Sequence, residues 1–349
     1  MIERTDETRQ ERPPTHPDGT SGPDPTALRP ARTWRVVVAV VVGLGALLGG
    51  AWLLRGPSPA AEPPRGAPAP EVSPSARPDS SGNVPVPAEL TWAPPVLEDP
   101  QTIQLTVADP IPDLKDGKDY ILELPDKPLV VKGGITISGG RNIVLIGGEI
   151  QPQGRGRDGR AILLKGQTGT VHIEGVLLAG AGLTEGINLD QRDGAVVQLQ
   201  NIRVETVHGK EDGHHADVIQ SWAGPASLRI DRLSGSTTYQ GMFLLPTQFG
   251  SQNPPREFDL RNVDLVGMEG SGYLLWRDDA DWPIYLTNVW VKPADSGVER
   301  KQVLWARGDQ NRDTWDGVRI GLAPGGSFVP DGVAGVGYES PGYLDGSGS

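Results

Sequence analysis

Cysteine is absent from all 349 residues of this chain. That absence excludes disulfide bonds, thiolate metal sites and cysteine nucleophiles. The chain also lacks a GxxxxGK(S/T) phosphate-binding loop and a G-x-S-x-G serine elbow, so we expect neither nucleotide chemistry nor a serine hydrolase site. Basic residues are few, with 32 lysines and arginines against 44 acidic residues and a net charge of −12. Because nucleic-acid phosphates require a basic face, this balance excludes nucleic acid as a partner.

One long apolar run is present, VVVAVVVGLGALLGGAWLL at residues 36–54. Its length matches a helix that crosses the hydrocarbon core of a membrane. A cleaved signal peptide is shorter and begins nearer the N-terminus, so we predict an uncleaved, single-pass transmembrane helix. Arginines are more numerous before the run (Arg29, Arg32, Arg35) than after it (Arg55, Arg65). This asymmetry predicts a cell-membrane protein with a cytoplasmic N-terminus and an extracytoplasmic C-terminal domain.

Proline is concentrated before residue 100, in stretches without hydrophobic periodicity. Residues 1–35 are predicted to be a disordered cytoplasmic tail, and residues 55–95 a disordered linker rich in proline and alanine. The stretch PSPAAEPPRGAPAPEVSPSARP within that linker is typical of an extended, semi-rigid spacer. The folded domain is therefore expected to begin near residue 96.

From about residue 118 the chain repeats one strand pattern, apolar-x-apolar-x-(Asn/Gly/Arg)-apolar-x-apolar. A second, shorter strand pattern alternates with the first, as in GINLD (186–190) and ADVIQ (216–220). A fixed period without helical spacing indicates a solenoid of stacked rungs. The main copies of the first pattern are VHIEGVLLAG (171–180), VQLQNIRVET (197–206), LRIDRLSGST (228–237), FDLRNVDLVG (258–267) and IYLTNVWVKP (284–293).

This repeat resembles the right-handed parallel β-helix superfamily of pectate lyases, polygalacturonases and phage tailspikes, the pectin-lyase-like proteins. The resemblance implies an all-β, right-handed solenoid of roughly eight rungs over residues 118–325. Residues 96–117 are then an N-terminal cap, and residues 326–349 a C-terminal tail. Stacking in register is expected to place opposite charges on neighbouring rungs; the pairs are Arg229 with Asp259 and Asp231 with Arg261.

The stretch VHGKEDGHHADVIQSW (207–222) holds three of the five histidines of the chain. We align the rungs on three small residues, Gly186, Ala216 and Gly241. This alignment predicts that the loop leads onto an outer edge of the solenoid, with two stacks of side chains across it. The stacks are Glu185 with His215 and Gln240, and Thr184 with His214 and Tyr239.

A uronate lyase needs a base for the proton beside the carboxylate, an acid for the leaving oxygen, and a cation that neutralises the carboxylate. The loop offers all three residue types. We predict His215 or His208 as the base and Tyr239 as the acid. The basic candidates that would hold the substrate carboxylate are Lys210, Arg155, Arg157 and Arg160.

Asp217 has a separate resemblance to support it. The segment HAD (215–217) is similar to the Asn-x-Asp that supplies one catalytic aspartate in polygalacturonases, which implies a catalytic role for Asp217. The Gly-Asp-Asp of that family is missing one rung later, where this chain has Tyr239-Gln240-Gly241. The alternative is a buried, inward-facing aspartate that caps backbone amides at the turn.

A second loop offers oxygen ligands. Asp309, Asn311 and Asp313 have the D-x-N-x-D spacing of ligands for Ca²⁺, and Asp279 on the preceding rung could add another. The EF-hand pattern fails, because Thr314 stands at its glycine position and Ile320 at its glutamate position. Exposed turns rich in aspartate and asparagine have the same composition. Ca²⁺ is the only cofactor that the sequence suggests.

Tryptophans cluster toward the end of the repeat, and Trp222 lies in an equivalent region of an earlier rung. Flat aromatic rings on a β-helix face can stack against sugar rings. Trp222 and Trp276, with Arg155 and Arg157, are therefore the predicted substrate contacts. Tryptophans can equally form the core, and Trp305 is expected to point inward.

The sequence leaves three hypotheses for function. The first is a membrane-anchored β-helix that engages polysaccharide and cleaves it as a lyase or glycosidase. The second is a non-catalytic surface module that binds glycan or a cell-envelope partner. The third is a rigid spacer without any site. We favour polysaccharide engagement and leave catalysis open.

Overall fold

The computed structural model of the chain describes residues 89–154, 159–210, 212–248, 253–277, 282–305 and 314–344. The predicted tail (1–35), the predicted transmembrane run (36–54) and most of the predicted linker lie outside the described residues. Within the described ranges, no helix has the length and apolar character that crossing a membrane requires.

Short parallel strands make up nearly all of the regular structure, because the repeat alternates apolar and polar residues with a period of two. The described residues include one short helix, α1 (Arg300–Val303). The strands are β1 (Gln101–Gln104), β2 (Tyr120–Glu123), β3 (Leu129–Lys132), β4 (Ile135–Ser138), β5 (Ile143–Ile146), β6 (Glu149–Gln153), β7 (Arg160–Lys165), β8 (Thr170–Glu174), β9 (Leu177–Leu178), β10 (Glu185–Asp190), β11 (Val196–Val207), β12 (Asp217–Ala223), β13 (Ser227–Thr237), β14 (Gln240–Leu244), β15 (Glu257–Gly267), β16 (Leu275–Arg277), β17 (Ile284–Lys292), β18 (Leu304–Trp305) and β19 (Val318–Ile320).

The strands form two sheets. A twelve-stranded sheet runs in the order β1-β2-β5-β8-β11-β13-β15-β17-β19, with β3, β6 and β9 beside that path. A seven-stranded sheet runs in the order β18-β16-β14-β12-β10-β7-β4. The architecture is an all-β parallel solenoid, which confirms the predicted fold class at that level. It has about seven turns, fewer than the roughly eight predicted, and β1 at one end pairs over only four residues.

A bend in left-handed backbone conformation divides the long strands of the larger sheet. The residue at the bend has a positive φ on six successive rungs. This position is the Asn/Gly/Arg of the sequence repeat, and glycine and asparagine tolerate that conformation best. The bend residues are Gly147 (φ 70°), Gly175 (66°), Asn201 (54°), Arg232 (60°), Asn262 (50°) and Asn288 (58°).

The core fills the space between the sheets with stacked columns of aliphatic side chains. The predicted register on the larger sheet is confirmed, because Arg229 pairs with Asp259 and Asp231 with Arg261. The side chains of the two arginines nevertheless form ion pairs with other carboxylates. Arg261 Nη2 lies 2.7 Å from Asp259 Oδ2 on its own strand, and the nearest carboxylate oxygen to Arg229 is on Glu257. One inward column of the smaller sheet consists of Ile162, Ile187, Ile219, Met242, Leu275 and Leu304.

Two segments outside the repeat lie on the outer face of the larger sheet, and we call them the terminal straps: residues 90–92 and residues 327–343. They meet where Leu90 pairs with Tyr343 in a parallel bridge. Leu90 is fully buried, so the end of the predicted disordered linker (55–95) is packed in the structure. The described part of the predicted C-terminal tail (326–349) folds back over earlier rungs, as the bonds of Tyr338 and Tyr343 to Glu174 show.

Candidate functional site

The predicted histidine loop connects β11 of the larger sheet to β12 of the smaller sheet. Backbone hydrogen bonds hold it at both ends. His208 N donates to Leu183 O at 3.0 Å, and Lys210 N donates to His214 O at 2.9 Å. Glu211 lies outside the described residues. Because the loop ends where β12 begins, it places its last histidines beside the first residues of the smaller sheet.

The rung alignment predicted for this loop is wrong by two residues. Ile187 pairs with Ile219, so Glu185 is in line with Asp217, and Asp217 pairs with Gln240. Asp217 therefore does not take the place of the inward residues Ile187 and Met242, and His215 does not stack between Glu185 and Gln240.

The misalignment has a steric reason. The start of the smaller sheet packs closely against the larger sheet, and on the three successive rungs of β10, β12 and β14 one of the two facing residues is a glycine. In one rung Gly186 faces Val204, and in another Gly241 faces Leu265. In the rung between them the roles are exchanged, because Val218 occupies the glycine position and Gly235 opposite makes room for it. Val218 is not small, and Ala216 lies two residues before it, so an alignment on small residues places Ala216 where the structure has Val218.

The corrected register brings five polar side chains together, and we call them the histidine–carboxylate cluster: Arg160, Glu185, Asn188, His214 and Asp217. Glu185 is at the centre. Its Oε2 accepts from Arg160 Nε at 2.8 Å and from Asn188 Nδ2 at 2.6 Å, and its Oε1 lies 3.0 Å from His214 Nε2. Burial raises the pKa of the Glu185 carboxyl, but His214 and Arg160 outweigh this effect and hold the pKa below its ordinary value.

Asp217 has the opposite environment. Its side chain is 1% exposed, and neither carboxyl oxygen has a hydrogen-bond partner among the described residues. Burial raises the pKa of Asp217 well above its usual range, and the neighbouring Glu185 charge raises it further. The predicted burial is confirmed, but the predicted capping of backbone amides is wrong. The cluster thus combines a carboxyl group whose pKa is lowered with one whose pKa is raised, and carboxyl pairs with opposed shifts are typical of general acid–base sites.

The predicted base and acid of the loop lie in contact at the rim. The rings of His215 and Tyr239 have centroids 4.8 Å apart, with His215 exposed and Tyr239 partly buried. Lys210 points to solvent, where its Nζ lies 3.1 Å from Asp212 Oδ1. His208 is exposed and lines a separate groove. His215 and Tyr239 are therefore the predicted catalytic residues that the structure brings together.

The two predicted tryptophan contacts differ in their surroundings. Arg160 Cζ lies 5.4 Å from the Trp222 ring, which places Trp222 beside the cluster. Trp276 lies further along the outer face of the smaller sheet, where its ring stacks on Trp305 at 5.0 Å and tilts against Phe243 at 5.4 Å. The prediction that Trp305 points inward is wrong. It pairs with Trp276 in register, while the alternate residue Leu304 occupies the core.

Several predicted site residues lie outside the described residues, and these are Arg155, Arg157, Asp279, Asp309, Asn311 and Asp313. Within the described part of the chain, no group of three or more histidine and acidic side chains is placed to hold a metal ion. Sequence reasoning missed Asn188, and no motif marks it. It is recognisable only from the register, because it lies one residue before the buried Leu189 and so faces outward.

Comparisons of the chain with protein-family models, curated proteins and solved structures find no match.

Proposed function

We propose that this chain engages a polysaccharide at the histidine–carboxylate cluster and cleaves it by acid–base chemistry. The observation that carries the proposal is the pairing of two unlike carboxyl groups in one cluster: Glu185 contacts Arg160 and His214, whereas Asp217 is buried without a hydrogen-bond partner among the described residues. These surroundings lower the pKa of Glu185 and raise that of Asp217, and the exposed imidazole of His215 is two residues before Asp217. A glycosidic bond needs a proton donor for its leaving oxygen, and a buried acid that stays protonated supplies one.

Two cleavage reactions use these groups differently. In hydrolysis, Asp217 donates its proton to the leaving oxygen while an imidazole of the loop takes a proton from the attacking water. In elimination, His215 takes the proton beside a uronate carboxylate, and Tyr239 donates a proton to the leaving oxygen as the C–O bond breaks. Trp222 beside Arg160 offers the aromatic surface nearest to the cluster for a sugar ring.

A second candidate function is non-catalytic glycan binding. It is favoured by the low exposure of Asp217 and by the two donors and the His214 ring around Glu185, which leave little of either carboxyl open to a substrate. In this alternative the cluster shapes the loop, and the loop binds the glycan.

The test uses the purified full chain, incubated with uronic and neutral polysaccharides in Ca²⁺ and in chelator, with products read by mass spectrometry. Unsaturated products would establish elimination, and saturated products hydrolysis. His215→Ala and Asp217→Asn should each reduce cleavage at least about a hundredfold. Asp212→Asn is the matched control, because Asp212 lies in the same loop with its side chain 81% exposed. Binding without cleavage would establish the second candidate, and cleavage that resists chelation would show that the reaction does not need the Ca²⁺ that the sequence suggests.

We further propose that residues 36–54 anchor the chain in the cell membrane, with the solenoid on the extracytoplasmic side. The support is the length of the apolar run and the arginines before it. The pectin-lyase-like relationship and the right hand of the coil belong to the same proposal, and their support is the parallel stacking of the rungs. Protease protection of the full chain in sealed vesicles tests the orientation, since an extracytoplasmic solenoid is cut only from the outer side.

A further inference from the structure

A groove of about 630 Å³ lies along the outer side of β11, β13 and β15, apart from the cluster. This volume is in the range of sites that bind small ligands. His208, at the start of the histidine loop, lines the groove, and His214, near the other end of the loop, contacts Glu185 of the cluster. The same loop therefore borders both places.

One wall of the groove is built by the C-terminal strap. Val329 N donates to Ser234 Oγ at 2.8 Å, and Phe328 N donates to Asp264 Oδ1 at 2.9 Å. Ser234 Oγ in turn donates to Asp264 Oδ1 at 2.5 Å. Asp264 is almost fully buried, so this network fixes the wall against the rungs beneath it.

The charge of the groove is set by which groups are already paired. Arg203 is the only guanidinium or ammonium group among the described lining residues, and it is occupied by Val329 O at 2.8 Å and by the Asp331 carboxylate. Glu205 is exposed, and the contact described for its carboxylate is a long one, 3.4 Å from Gly180 N. The free charge of the lining is therefore negative.

Hydroxyl groups supply the rest of the polar lining. Thr206 Oγ1 and Ser236 Oγ lie 2.8 Å apart on neighbouring strands, next to Glu205. Hydroxyl groups donate and accept hydrogen bonds and a carboxylate accepts them, which matches the hydroxyl groups of a sugar. Met268 and Val266 add apolar surface for the carbon face of a ring.

We infer that this groove binds a saccharide without carboxylate or sulfate groups. The inference rests on the proposed function, and it names the substrate class of that function. A uronate would place its charge against Glu205, and the described lining has no unpaired guanidinium or ammonium group to neutralise it. Like charges at close range are repulsive. Because elimination requires a uronate, a neutral substrate makes hydrolysis the reaction of the cluster.

The experiment measures affinity by calorimetric titration of the full chain with neutral hexasaccharides (of glucose, mannose and N-acetylglucosamine) and with a galacturonate hexasaccharide. At least one neutral ligand is expected to bind about tenfold more tightly than the uronate. Glu205→Arg should weaken the binding of the neutral hexasaccharide about tenfold, since it removes a charged hydrogen-bond acceptor. It should also reduce the difference in affinity between the neutral and the uronate hexasaccharide, since it removes the repelling charge. Thr206→Val should weaken neutral binding about fivefold.

Asp126→Arg is the matched control, because it makes the same charge change at an exposed residue between β2 and β3. It should leave every affinity within about twofold. Added salt should raise the uronate affinity of the unaltered chain, because it screens repulsion. Equal or tighter uronate binding at low salt would overturn the charge argument, as would neutral binding that is indifferent to both groove variants.

The outcomes separate this inference from the proposed cleavage. Neutral binding that depends on Glu205, without cleavage by the unaltered chain, supports the groove and removes the catalytic proposal. Cleavage of uronate that is insensitive to Glu205→Arg supports a reaction at the cluster and overturns the groove. Absence of binding by any neutral hexasaccharide overturns the groove as well.

Discussion

Two polar clusters of this solenoid contain a histidine and a buried carboxyl group, and they differ in the number of hydrogen bonds that this carboxyl group accepts. Under the terminal straps, Glu174 is fully buried and accepts from Tyr338 Oη at 2.6 Å, from the Tyr343 hydroxyl, and from His172 Nε2 at 3.1 Å. In the histidine–carboxylate cluster, Asp217 is almost as deeply buried and has no hydrogen-bond partner among the described residues. The fold therefore supplies hydrogen-bond donors to the buried carboxyl group of the first cluster, and the described residues supply none to Asp217 in the second.

The difference separates two uses of a buried acid. Burial raises the pKa of Glu174, but hydrogen bonds from His172 and the two tyrosines outweigh it, so the carboxyl is held ionised. Such a group contributes to the stability of the fold. Burial raises the pKa of Asp217 and so disfavours its ionised form, which costs stability above its ordinary pKa. Buried groups that cost stability without compensation are concentrated at functional sites.

The largest expected effect on stability comes from removing the Glu174 carboxyl group, which accepts several hydrogen bonds. Glu174→Ala should lower the free energy of unfolding by about 3 kcal/mol, because it leaves two tyrosine hydroxyls and His172 without their shared acceptor. Urea denaturation of the full chain measures this. Glu123→Ala on β2 is the control, since Glu123 is exposed and should change stability by less than about 0.5 kcal/mol. A loss of similar size in both variants would break the comparison.

The same variant has a predicted pH signature. The pKa of Glu174 is lower in the folded chain than its ordinary value. Its contribution to stability is therefore present above the ordinary pKa and is lost as the pH falls through the folded pKa. The destabilisation caused by Glu174→Ala should shrink in strong acid. A constant difference across the acid range would contradict the ionised state of Glu174.

Asp217→Asn is expected to act in the opposite direction on stability. The folded pKa of Asp217 is raised, so the unfolded chain releases its proton first and stability falls as the pH rises above the ordinary value of 3.8. The amide does not ionise, so the variant should be more stable than the unaltered chain at neutral pH, by about 1–2 kcal/mol. The gain should vanish below the ordinary pKa. Cleavage, by contrast, should fall about a hundredfold.

Denaturation across the pH range, paired with the cleavage assay, checks both halves of this prediction. A variant that gains stability and loses activity is the expected trade-off at a functional site. If Asp217→Asn destabilises the chain at neutral pH, then Asp217 is a structural group like Glu174, and the contrast between the two clusters disappears.

The sequence was sufficient to predict the parallel solenoid and insufficient to predict the site, and a different position explains each result. The Asn/Gly/Arg of the repeat marks the left-handed bend on six rungs, and a signal so often repeated identifies the solenoid reliably. The register of the histidine loop depends instead on a single exchange, Val218 with Gly235, between segments 17 residues apart. That exchange hides the alignment of Asp217 with Glu185, since only packing across the core distinguishes a valine there from a glycine.

A smaller effect should distinguish the two tryptophans. Trp276 has aromatic neighbours on both sides along the solenoid axis, so Trp276→Ala should lower the free energy of unfolding by about 2 kcal/mol and change saccharide affinity less than about twofold. Trp222→Ala beside Arg160 should weaken saccharide binding more and stability less. Denaturation and calorimetric titration of both variants measure these effects. If Trp276→Ala weakens saccharide binding more than Trp222→Ala does, the sugar contact lies instead on the stacked rings of Phe243, Trp276 and Trp305.

The smallest expected effect tests redundancy in the strapped region. Asp231 Oδ2 accepts from both Thr91 Oγ1 at 2.9 Å and Thr91 N at 3.1 Å, and its other oxygen accepts from Asn262 Nδ2 at 2.8 Å. Thr91→Val keeps the shape of the side chain and removes only the hydroxyl donor. The carboxylate keeps two donors, so the free energy of unfolding should fall by about 1 kcal/mol or less. If Thr91→Val lowers the free energy of unfolding as much as Glu174→Ala does, then single strap contacts, rather than carboxyl groups with several donors, stabilise this face.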